Sequence, residues 1–156
     1  MWQRIQTVYF ILVILLMTAG ILLPGAEFFD ATKNVSYLLD SRGILEINAH
    51  GEVVKNIATN PCTFLYGLIL FLATFCIFNY KNRKKQMRFA TANLFSILLY
   101  IIALVLFVLY AKNKLDVSIA FQYPAIFPVL ALIFNYLAMR GIAKDEKLVR
   151  SLDRLR

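Results

Sequence analysis

Chemically reactive side chains are scarce in this chain. Histidine occurs once, at His50, and cysteine twice, at Cys62 and Cys76, while acidic residues number nine in 156. One imidazole and two remote thiols do not make a metal site. If the segment between the cysteines is helical, they stand about 21 Å apart, well beyond the roughly 7 Å that a disulfide spans. No disulfide framework is expected, and both thiols read as small buried apolar side chains. The sequence has no G-x-S-x-G, no H-E-x-x-H and no glycine-rich phosphate loop. An enzyme at the lipid surface would have to work with Glu27, Asp30 and His50, a trio without spacing logic. No catalytic residue, cofactor or metal is therefore expected, and the chain reads as non-enzymatic.

A second absence is more informative. Four long blocks carry no Asp, Glu, Lys, Arg or His between their ends: about 5–23, 61–80, 89–111 and 124–140. Intramembrane ionisable groups mark ion paths and proton relays, so a proton-coupled pump or transporter is disfavoured. The chain is 60% hydrophobic, with a mean hydropathy of +0.67, against about 45–50% apolar in a soluble domain. Crossing a bilayer core of about 30 Å takes around 20 apolar helical residues. The first block is too long for a signal-peptide core of about 7–15 residues, so it reads as a retained span. Pro61 suits the start of the second helix, where its missing N–H costs nothing. The fourth block, beginning at Pro124 or Ala125, is short for a span and is compatible with local thinning. Pro128 lies one turn in, where little kink is expected. The expected fold is an all-α membrane protein in one domain, 1–156. It is a four-transmembrane-helix bundle with a small extracytoplasmic antiparallel β-sheet.

The net charge of +8 belongs to this arrangement rather than to nucleic-acid binding, because the basic residues flank the apolar blocks. Twelve of the 17 Lys and Arg lie in the N-terminus, the loop 81–88 and the tail 140–156, and five lie on the other side. The middle loop, with Lys81, Arg83, Lys84, Lys85 and Arg88 and no acid, is the strongest signal. Basic residues are retained on the cytoplasmic side, so both termini are expected there. Trp2 and Tyr80 on that side, and Tyr110 and Tyr123 on the other, fit interfacial aromatic belts.

The outer segment 24–60 is too long to be structureless by default. Two β-rich runs around an Asn/Gly turn predict a hairpin over 44–57, and Tyr37–Leu39 adds a further candidate strand. Alternation at Val117, Ile119, Phe121 and Tyr123 predicts a strand over 116–122, expected to join the hairpin as its third. Asn34-Val35-Ser36 matches a glycosylation sequon, which has meaning only in a eukaryotic secretory lumen.

Two constellations invite a function. Gln6, Asn79, Asn93 and Asn135 place one carboxamide in the inner third of each span. Asn93 and Asn135 should be level, and Ser96 lies one turn from Asn93. In hydrocarbon such groups are costly unless paired, so they are expected to face one another, more as inter-helix glue than as a binding site. The tail 141–156 repeats Leu148, Leu152 and Leu155 at helical spacing, with charges on the other faces and Glu146–Arg150 as an i,i+4 pair. A lipid-bound helix, a docking face for a protein partner and a solvated extension of the fourth helix all fit.

Three stretches carry a resemblance: Gln3-Arg4-Ile5-Gln6-Thr7, Tyr80-Lys81-Asn82-Arg83-Lys84-Lys85-Gln86, and Lys144 through Arg156. Together they look like an uncharacterised family, a domain of unknown function, of small four-span membrane proteins from Bacteroidota-type bacteria. The resemblance covers nearly the whole chain. It supplies no activity, but it implies the bacterial inner membrane and would void the sequon. The expectation is an accessory or scaffold subunit in the lipid bilayer that docks a membrane or cytoplasmic partner on its cytoplasmic face. A small oligomeric transporter or channel is the alternative, and a membrane-surface enzyme comes third.

Overall fold

The computed structural model describes residues 3–23, 25–30, 35–40, 43–47, 53–58, 60–80, 82–115 and 118–153. These hold four helices, α1 (Gln3–Leu22), α2 (Asn60–Phe78), α3 (Arg83–Leu115) and α4 (Phe127–Asp153), with strands β1 (Ala26–Asp30), β2 (Val35–Asp40), β3 (Gly43–Ile47) and β4 (Val53–Ala58) between α1 and α2 and β5 (Ser118–Phe121) between α3 and α4. A 3-10 turn over Tyr123–Ile126 leads into α4.

The helices pack side by side in a ring, α1 on α4, α4 on α3, α3 on α2 and α2 on α1. Each presents one buried stripe at alternating three- and four-residue steps. The stripes are Gln6, Phe10, Val13 and Met17 on α1; Cys62, Tyr66, Ile69, Ala73 and Cys76 on α2; Gln86, Ala90, Asn93, Ile97 and Tyr100 on α3; and Ala131, Asn135, Ala138, Ile142 and Asp145 on α4. That spacing gives the shallow knobs-into-holes crossing of antiparallel helix bundles. Tyr66 and Tyr100 meet edge-on at 5.4 Å near the centre of the apolar core. The opposite faces are also apolar: Phe64 is 72% exposed and Phe95 64%. A soluble protein rarely leaves so large an apolar surface open. Among the described residues, three helical segments, Ile5–Leu22, Arg83–Asn113 and Tyr123–Val149, are long and apolar enough to cross a membrane, and Cys62–Phe78 is a shorter apolar helix.

The strands form one antiparallel sheet in the order β4-β3-β2-β1-β5, larger than the small sheet expected beside the helices. β3 and β4 form the hairpin expected over 44–57, with a bulge at Glu46/Ile47; its turn, including His50, lies outside the described residues. The third strand on that hairpin is β2, not the 116–122 segment. That segment does form β5, but it pairs with β1 at the far edge of the sheet. The reason is connectivity. β1 leaves the end of α1 and β5 enters the start of α4, and those two helices are packed together. A hydrogen bond from Gln122 N–H to Gly25 O at 3.2 Å extends the pairing toward the helices. Ile119, Phe28, Tyr37, Glu46 and Lys55 fall in register across all five strands, apolar at one edge and oppositely charged at the other.

Two helix boundaries also differ from the sequence reading. α3 begins at Arg83 rather than residue 89, so most of the basic loop is its first turns. Asn82 Oδ1 accepts from Lys85 N–H at 3.2 Å, an N-cap that starts the helix six residues early. α4 does not stop near Arg140 but runs unbroken to Asp153. Much of the segment 141–156 is therefore a continuation of α4, as one of its three readings had it, and Pro128 sits in the first turn of that helix, where no intrahelical donor is lost.

Candidate functional site

Polar side chains collect where α1 begins and α4 ends, the end bearing most of the basic residues. Gln6 projects from the first turns of α1 and Asp145 from the last third of α4. The Gln6 Nε2 donates to Asp145 Oδ2 at 2.6 Å, and both side chains are buried. Arg83, on the first turn of α3, donates through Nη1 to the Asp145 carbonyl oxygen at 2.6 Å. One residue of α4 thus ties down α1 and α3 together. Charge-assisted hydrogen bonds of this kind are among the stronger ones in proteins.

Gly141 makes the first of these bonds feasible. A Cβ built there would lie 3.0 Å from Gln6 Cγ and 3.5 Å from Gln6 Nε2. Gly141→Ala is therefore expected to lower stability by about 1 kcal/mol, because overpacking outweighs the gain in helix propensity. With Gln6→Ala already in place the crowding is gone, and the same change should stabilise by about 1 kcal/mol. Thermal unfolding of the four variants in one detergent reads the sign. The same sign in both backgrounds would show that Gln6 does not crowd Gly141.

One layer deeper, Asn93 and Asn135 are fully buried. Asn93 Nδ2 donates to Asn135 Oδ1 at 3.0 Å, and Asn135 Nδ2 donates to the Ala90 carbonyl at 3.0 Å. Asn93 Oδ1 has no hydrogen-bond partner among the described residues. Gln86 closes the α2–α3 corner. Its Nε2 donates to the Cys76 carbonyl at 3.0 Å, and Cys76 Sγ faces the Gln86 carbonyl at 3.9 Å. Cys76 lies in the last turn of α2, whose carbonyls have no donors within the helix, so Gln86 caps α2 from the neighbouring element.

The four carboxamides named from the sequence do not form one layer. Asn93 and Asn135 meet each other, and Gln6 turns outward to Asp145. Asn79 instead donates to the Phe75 carbonyl of its own helix at 2.9 Å, and Ser96 to Ala92 O at 3.0 Å. Both find local partners because their donors reach the carbonyl four residues back. Arg83 is half-buried, whereas Lys84, Lys85 and Arg88 are exposed, and Lys81 lies outside the described residues. Leu148 is half exposed; Leu155 and the side chain of Leu152 lie outside the described residues. Sequence reasoning missed Gln86 and Asp145. Extending the α4 stripe from Ala131 and Asn135 by helical steps would have reached Ile142 and then Asp145.

Among the described residues no group of three or more His, Cys, Asp or Glu could hold a metal, and Glu27 and Asp30 lie on β1, in the sheet. The arrangement ties helices together. Near the strands, Met17, Tyr66, Tyr100 and Phe127 line a cavity of about 30 Å³, room for about one water.

No curated protein matches this sequence. A family model described as "Domain of unknown function (DUF4293)" matches residues 2–155. That span includes the basic start of α3, the polar contacts to Asp145 and the sheet, so the chain belongs to the DUF4293 family as a single unit.

Proposed function

We propose that this protein is a four-span integral protein of a bacterial inner membrane with both termini in the cytoplasm. In this reading it acts as a non-enzymatic accessory or scaffold subunit whose cytoplasmic end docks a partner. The carrying observation is the continuity of α4. Its apolar stretch ends at Met139, and the helix continues to Asp153, a rod projecting about 20 Å beyond the lipid boundary. The bonds from Gln6 and Arg83 to Asp145 fix that rod against α1 and α3. A projection held in this way suits docking. A transport path is less well supported, because the stripe residues Phe10, Val13, Met17, Ile69 and Ile97 fill the interior. The four-span reading also puts the five-stranded sheet outside, over the ends of the helices.

Topology is the first test. Cys62 and Cys76 are buried, so single cysteines introduced at Lys84, Lys147 and Tyr123 can be labelled against a low background. An impermeant thiol reagent on intact spheroplasts should label position 123 and spare positions 84 and 147. Labelling of 84 and 123 from the same side would break the four-span reading. Purification from native membranes in mild detergent then tests the role. A stoichiometric protein partner, lost when residues 144–156 are deleted, supports docking. A lone symmetric oligomer that passes a solute in vesicles overturns it in favour of transport.

A further inference from the structure

An open groove of about 450 Å³ lies between α1 and α4 at their basic ends. Toward the middle of the helices its walls are apolar, with Tyr9 on α1 and Leu137 on α4. Toward the ends they become basic, with Arg140, Lys144 and Lys147 at i, i+4 and i+7 along one stripe of α4, all exposed. One acid enters the wall, Asp145, and its Oδ2 already accepts from Gln6. Arg140, Lys144 and Lys147 outnumber the single carboxylate of the lining, so the wall carries net positive charge. The volume is typical of a small-molecule site, and an apolar slot opening into a basic mouth has the polarity of an amphiphile with an anionic head. Basic pockets between helices at a cytoplasmic membrane surface suit such headgroups.

We propose that this groove binds one anionic phospholipid of the inner leaflet. The phosphate sits among Arg140, Lys144 and Lys147, and one acyl chain runs along Tyr9 and Leu137. The proposal rests on the reading that this end of the helices lies at the cytoplasmic surface. A soluble phosphate would use the basic mouth and leave the apolar slot empty, so the polarity of the groove favours the lipid.

The test uses the full chain in mild detergent, with native mass spectrometry after addition of equal phosphatidylglycerol and phosphatidylcholine. Phosphatidylglycerol should be retained preferentially in a one-to-one complex. Each basic residue near an anionic headgroup is worth about fivefold in affinity. The triple variant Arg140→Gln, Lys144→Gln, Lys147→Gln should therefore lose the preference entirely. The triple variant Lys84→Gln, Lys85→Gln, Arg88→Gln on α3 removes as many charges away from the groove and should keep it. Equal loss in both would reduce the effect to general surface charge and overturn the proposal. Inorganic phosphate displacing the lipid at comparable concentration would likewise overturn it in favour of a soluble anion. On the unmodified protein, a phosphatidylglycerol with a photoreactive acyl chain should cross-link to residues 5–9 and 137–147; cross-links confined elsewhere would also end it. Binding in micelles does not depend on topology. Reversed cysteine labelling with the lipid preference intact would therefore sink only the assigned leaflet, and lost preference with correct labelling would sink only the groove.

Discussion

Asp145→Ala should lower the unfolding free energy by about 2 kcal/mol, because it strips the acceptor from the buried Gln6 amide. Asp145→Asn keeps an oxygen where Oδ2 stands, so about half of that loss is expected if hydrogen bonding is what matters. The bond from Arg83 Nη1 goes to the main-chain carbonyl and survives both substitutions, so α3 should stay docked while α1 loosens. Reversible unfolding in mixed micelles measures the stability. Proteolysis or hydrogen exchange at the start of α1 measures the local effect. Equal stability of Asp145→Ala and the parent would mean that the contact holds nothing. Equal loss in Asp145→Ala and Asp145→Asn would shift the explanation from the hydrogen bond to the charge.

The asparagine pair should respond unequally to the same substitution. Besides a 3.9 Å contact from its Nδ2 to the Met139 sulfur, Asn135 makes two bonds with nitrogen and oxygen partners, accepting from Asn93 Nδ2 and donating to the Ala90 carbonyl. Asn135→Leu removes both and leaves the Asn93 amide with neither end paired, at a cost of about 1–2 kcal/mol. Asn93 makes one of these bonds and carries a buried oxygen without a partner. Asn93→Leu removes that unsatisfied oxygen along with the bond, so the loss should be about 0.5 kcal/mol. The double variant should cost less than the sum, because the second substitution removes a group that the first had orphaned. A larger loss from Asn93→Leu than from Asn135→Leu would mean that the oxygen without a partner contributes something these contacts do not show.

The depth of these two asparagines was legible in the sequence, since each lies five residues from a basic boundary on an otherwise apolar segment. Gln6 and Asn79 lie only two residues from such a boundary and were grouped with them as carboxamides of the inner third. They separate only in three dimensions: Gln6 lies across from a carboxylate on another helix, and Asn79 satisfies itself within α2. The hairpin of β3 and β4 was legible because its turn residues and flanking β-rich runs are local. β1 was missed, since Ala26–Asp30 follows the Pro24-Gly25 turn signal but has no clear alternation of its own.

By itself the sequence determined the apolar segments, their approximate limits and the charge asymmetry of their flanks. Those properties follow from composition over windows of about 20 residues, and a helix satisfies its own backbone without help from elsewhere. The tertiary structure alone decided that β5 pairs with β1, and that Asp145 receives a side-chain bond from α1 and binds α3 through its carbonyl. Each of those outcomes depends on partners far apart in the chain. Helix packing brings α1 and α4 together, and that proximity pairs the strands attached to them. It also buries a carboxylate which the sequence, read along one helix, leaves among the charges of a solvated tail.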